Sequence, residues 1–190
     1  LSDMAGTALE AGLEIARHEL TTSTEFGTYS PQEVADTALS VIAMGKCGAG
    51  ELNYISDVDV IFVSQPADEI STELAKAVMQ VCSAVTPEGV IWEVDPGLRP
   101  EGKAGALVRT LESHIDYYER WAQNWEYQAL LKARYMAGDE ELGEGFVAAV
   151  SPFVWKAAGQ PGFIEGVQAM RERVTDLIPA KEADRELKLG

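Results

Sequence analysis

The chain predicts an α+β fold followed by a helical bundle, and three observations carry that prediction. Two apolar runs with strand composition, Leu39 to Met44 and Val58 to Val63, flank a glycine-studded turn. A third run, Val90 to Val94, follows an intervening amphipathic segment, and helical spacing dominates from about residue 110 onward. At 190 residues, 46% apolar and 24% charged, the composition is that of a soluble globular protein able to bury a sizeable core.

Residues 3 to 20 place Met4, Leu9, Leu13, Ile15, Ala16 and Leu20 at near-helical spacing behind a Ser2-Asp3 cap candidate, which predicts a helix. The polar stretch 21 to 32 contains Gly and Pro and reads as a loop. Strand, turn and strand follow from about 38 to 64. From Glu69 to Val85, Ile70, Leu74, Ala77, Val78, Val81 and Ala84 recur three or four apart, the stripe of an amphipathic helix that includes Cys82. Val90 to Val94 reads as a third strand delivering Asp95 at its end. A Gly- and Pro-rich loop (96 to 105) follows, then a short strand at Leu107 and Val108. Helices are expected from Leu111 to about Tyr135, from Asp139 to Trp155 and from Phe163 to Leu177.

Composition also limits function. No apolar run approaches the roughly 20 residues of a membrane span. The opening LSDMAGTALE carries neither an initiator Met nor a signal-peptide pattern, so the sequence reads as a piece of a longer cytoplasmic polypeptide. Two cysteines, Cys47 and Cys82, read as reduced, buried small residues. A net charge of −16 argues against a nucleic-acid backbone as partner. It leaves room for a nucleotide, since a metal ion and a few local cations suffice for one small polyphosphate.

The chemistry gathers at Asp57 and Asp59. Side chains alternate along a strand, so both aspartates face one way while Val58 and Val60 face the other. Two carboxylates on one rigid face make an oxygen-rich seat for Mg²⁺, although an isolated D-x-D is often a solvated surface pair. Asp95, ending a later strand, is placed to join them, and three carboxylates from two strands suit metal-assisted phosphoryl transfer. The turn bearing Gly45, Gly48 and Gly50 is neither a P-loop nor a dinucleotide fingerprint. Its N–H groups are available to a phosphate beside Lys46, and the bland alternative is a simple chain reversal. Arg99 and Lys103 follow Asp95 and would flank a phosphate; Ser56 would cap or hydrogen-bond the site. The aromatic series Tyr117, Tyr118, Trp121, Trp125 and Tyr127 reads as helix packing. Lys132 and Arg134 complement a helix dipole, with Arg134 also in reach of an anion. His18 and His114 have no catalytic pairing with Cys or Ser.

Three ordered segments resemble the nucleotidyltransferase superfamily, and within it the glutamine synthetase adenylyltransferase family. GKCGAGELNYISDVDVIFV (45–63) is similar to its turn-and-strand signature, WEVDPGLRPEGKAGALVRTLESH (92–114) to its third-Asp segment, and WEYQALLKAR (125–134) with AGD (137–139) to its helical element. The resemblance implies a polymerase-β-like mixed sheet with flanking helices, with residues 1–109 as the nucleotidyltransferase core and 110–190 as a helical continuation. It implies Mg²⁺ held by Asp57, Asp59 and Asp95, and phosphate or nucleotide contacts from Gly45, Lys46, Gly48, Ser56, Arg99 and Lys103. The implied partners are glutamine synthetase, ADP or ATP, phosphate, and a nitrogen-signalling regulatory protein. ELNY, WEVD, VQAMRERV and RELKLG look like the family's amino-terminal unit, which removes AMP by phosphorolysis. The opposite activity, AMP transfer from ATP, and a catalytically silent binding fragment are the alternatives. Gly50 stands where that unit commonly has Arg, and Pro96-Gly97 departs from its usual residues.

Overall fold

A computed structural model describes residues 1–23 and 29–176. Helix α1 (Ser2–Thr22) comes first, with Leu9, Leu13, Ala16 and Leu20 on its buried face. Met4 and Ile15, expected on that face, are exposed. Leu1 is the N-cap, and the buried Ser2 hydroxyl instead accepts the Leu52 N–H at 3.2 Å. Residues 24–28 of the expected loop lie outside the described residues. The loop's last residues begin a helix, α2 (Pro31–Asp36), started by a Ser30/Glu33 capping box with Pro31 at its first position.

Strand β1 (Ala38–Ala43) leads into the four-residue helix α3 (Gly45–Gly48), and β2 (Val58–Gln65) and α4 (Glu69–Ser83) follow as expected. The third strand is shorter than the run that predicted it. Only β3 (Val94–Asp95) pairs, while Val90 and Ile91 are exposed. Residues 92 to 94 run back along the end of α4, where Trp92 N–H bonds the Cys82 carbonyl at 3.1 Å and Ser83 Oγ bonds the Trp92 carbonyl at 3.2 Å. Then come β4 (Val108–Arg109), α5 (Leu111–Arg120) and α6 (Asn124–Leu130). The helix expected to run to Tyr135 ends at Leu130, and Arg134–Gly138 forms strand β5, because the open edge of β1 supplies an antiparallel partner. Helices α7 (Glu140–Ala158) and α8 (Phe163–Asp176) complete the described chain.

The five strands make one mixed sheet in the order β3-β2-β1-β5, with β4 also pairing β2. Strand β1 is antiparallel to β2 and β5, whereas β3 and β4 run parallel to β2 on its other side. Alternation divides the core into two layers. Val41, Ala43, Val58, Val60 and Phe62 pack with α1 and α4, and Ile42, Met44, Ile61 and Val63 pack with Tyr118, Leu130, Phe146 and Val150 from α5, α6 and α7. Each sheet face is therefore covered by helices. Of the aromatic series, only Tyr118 is fully buried; Trp121 is 70% exposed.

Candidate active site

Asp57, Asp59 and Asp95 are half-buried at the end of the sheet where β2 begins. The parallel register sets Val58 beside Val94 and Asp59 beside Asp95. Laterally paired residues of neighbouring strands share a face about 4.8 Å apart, so Asp59 and Asp95 lie side by side, and Asp57 immediately precedes β2. The buried Val58 and Val94 anchor the opposite face. The sequence alone places Asp57 with Asp59; the register brings in Asp95. The donor set is all oxygen, as Mg²⁺ prefers. Among the described residues, no three His, Cys, Asp or Glu side chains are grouped as a ready metal cluster.

The glycine turn serves this site sterically. Gly45 has φ +51°, and a Cβ built on it would stand 2.4 Å from Asp59 Oδ2. Only glycine combines that left-handed conformation with so close an approach. Gly48 is buried, with Lys132 O 1.9 Å from where its Cβ would be. It packs chain against chain and presents no open surface to a phosphate. Arg134 binds the same turn from β5, its Nε donating to Gly48 O at 3.1 Å and its Nη2 to Cys47 O at 3.2 Å. Burial pushes the Cys47 thiol up to about 11; Asp59's charge adds to this, and Arg134 opposes it. Cys47 and Cys82 are both free and buried.

Asp95 is held by its own turn: Gly97 N–H donates to Asp95 Oδ1 at 2.8 Å, and a Cβ at Gly97 would sit 2.9 Å from that oxygen. The Pro96-Gly97 pair, a turn signal in the sequence, is thus what lets the backbone reach back to the carboxylate. Arg99 is expected from the sequence to meet phosphate, but its guanidinium bonds the carbonyls of Pro96 (2.9 Å), Lys103 (3.2 Å) and Gly105 (3.2 Å). It ties the loop into a compact unit; burial lowers its pKa, against the pull of Asp95. Lys103 is exposed in the 3₁₀ turn Gly102–Ala104, and Lys46 is half-exposed in α3. Ser56 Oγ donates to Asn53 Oδ1 at 2.7 Å, and that oxygen also accepts from Ile55 N–H at 3.2 Å. Asn53, missed from sequence, builds the turn entering Asp57; its signal is the local Asn-x-x-Ser pattern.

A family model described as glutamate-ammonia ligase adenylyltransferase matches residues 1–149, the stretch that carries the sheet and all three carboxylates. The chain belongs to this family. Among curated relatives, bifunctional glutamine synthetase adenylyltransferase/adenylyl-removing enzymes of Streptomyces avermitilis and Leifsonia xyli are 53% and 50% identical over 198 and 200 residues. That of Corynebacterium glutamicum is 53% identical over 190 residues. Each alignment takes in 100% of this chain but only 19%, 20% and 17% of the respective relative. The chain therefore spans about a fifth of the length of these adenylyltransferase-family relatives.

Proposed function

We propose that this chain supplies the adenylyl-removing unit of a bifunctional glutamine synthetase adenylyltransferase, acting by phosphorolysis. An oxygen of inorganic phosphate attacks the α-phosphorus of AMP-O-tyrosine. The bond from phosphorus to the tyrosyl oxygen breaks, that oxygen takes up a proton, and ADP and free tyrosine leave. Asp57, Asp59 and Asp95 would hold Mg²⁺, which when bound would supply charge neutralisation at the phosphoryl oxygens. Gly45 lets the α3 turn close on Asp59, Gly97 orients Asp95, and Lys46 and Lys103 are the site's cations toward phosphate. The observation that carries the reading is the Asp59–Asp95 register, which sets the third-Asp segment against the D-x-D strand. The forms ELNY (51–54) and WEVD (92–95) favour removal over addition.

The decisive experiment gives the complete enzyme adenylylated glutamine synthetase with phosphate, and separately the unmodified protein with ATP. Replacing Asp57 and Asp59 together by Asn is expected to stop ADP release and spare AMP transfer. Loss of transfer alone would assign this unit to the opposite half-reaction. Undiminished ADP release in the double variant would remove the carboxylates from the chemistry.

A further inference from the structure

The loop that follows Asp95 is gripped at its far end by side chains from β4, α5 and α6. Among the described residues, Glu101 is the non-glycine with positive φ, at 63°. Such a backbone persists in a glutamate only where its surroundings enforce it. Two contacts do so here. The Glu101 carboxylate pairs with the Arg109 guanidinium, and its backbone N–H points at the Tyr117 phenol oxygen, 3.4 Å away. The Tyr117 ring lies 5.7 Å from that guanidinium. Its O–H donates to Glu126 Oε1 at 2.8 Å, while Glu126 Oε2 accepts the Gln123 N–H at 2.8 Å at the start of α6. Glu126 is 5% exposed, so its carboxylate is a buried anchor whose two oxygens are both used. Desolvation and the bond to Glu126 raise the Tyr117 pKa, which keeps the phenol a donor. Glu101 in turn adjoins the segment tied by Arg99, since Gly102 N–H bonds the Arg99 carbonyl at 2.8 Å.

We propose that Glu126, Tyr117, Arg109 and Glu101 form a positioning relay that fixes loop 96–105 and thereby sets the place of Asp95. The inference rests on the reading of Asp95 as a working carboxylate. It gives the WEYQ segment a role, because its buried glutamate acts on the site through the loop. Hydrophobic packing alone does not account for the arrangement. The Glu101 side chain is 56% exposed, so the left-handed backbone is held for a contact that buries little surface.

Two variants of the complete enzyme test this. Tyr117→Phe removes one oxygen and keeps the ring beneath Arg109. Amide exchange at Gly102, Ala104 and Gly105 should quicken by about fivefold or more, with β1 and β2 unchanged. The kcat for phosphorolysis should fall by about tenfold or more, as displaced catalytic groups do, and half-maximal rate should require more Mg²⁺. KM for adenylylated glutamine synthetase should stay within about twofold, since the relay acts through the position of Asp95. Glu101→Gly relieves the strained backbone while breaking the relay, so kcat should fall with Tm held or raised. Unchanged loop exchange in both variants, or kcat lost only in step with Tm, would overturn the relay. If Asp95→Asn leaves phosphorolysis intact, the reading of Asp95 fails instead, and the exchange data still decide whether the relay holds the loop.

Discussion

Gly45 shows how one missing methyl shapes the candidate site. A side chain there would need the left-handed region, costing about 1–2 kcal/mol, and would drive into Asp59. Gly45→Ala should therefore lose stability by about that amount in urea unfolding, and lose activity by about a hundredfold through displacement of the carboxylate. Activity falling no more than stability implies would mean the glycine only turns the chain. His114 makes a different prediction. It is 1% exposed, edge-on to Phe146 at 5.2 Å, with Nδ1 3.0 Å from the Thr110 carbonyl. Burial lowers its pKa to about 4, the Thr110 bond opposing and Arg109's charge assisting. Between about 4 and the ordinary 6.5 the unfolded chain binds a proton that the native state refuses, so stability falls as pH is lowered through that window. The expected slope is at most about 1.4 kcal/mol per pH unit. His114→Gln should flatten it, and an unchanged slope in denaturation measured across that window would contradict the assignment.

At the scale of elements, the site is a junction. The α3 turn is closed from β5, since Arg134 takes the last carbonyls of α3 while β5 pairs with β1. Arg134→Met keeps most of the aliphatic stem and removes both charged hydrogen bonds, and should cost about 2 kcal/mol with an unchanged urea m-value. A cost below about 0.5 kcal/mol would show the α3 turn to be self-supporting. Strand β5 reads in the sequence as the last residues of a helix, to about Tyr135, and the start of a turn, and nothing local signals the partner β1, almost a hundred residues earlier. Helix α2 is legible through Ser30, Pro31 and Glu33, but the surrounding polar residues read as loop.

The whole molecule carries 31 acidic and 15 basic residues, and its net charge of −16 works against compaction. Raising NaCl from about 10 to about 150 mM shortens the Debye length from roughly 30 to 8 Å and should raise Tm. A flat or falling Tm would mean that specific ion pairs outweigh the general repulsion. None of the described helices is long and apolar enough to cross a membrane.

By itself the sequence displayed the two main apolar strands and the amphipathic stripe of α4, predicted a shared face for Asp57 and Asp59, and carried the three ordered motifs that point to the family. Those are properties of local period and spacing, which a single chain displays directly. Only the tertiary structure decided that Asp95 stands beside Asp59, that Arg99 is spent on its own loop, that Gly48 is a packing contact, and that β5 closes the sheet edge. Each depends on a partner distant in sequence or on a carbonyl that only the folded turn presents, and neither leaves a periodic trace along the chain.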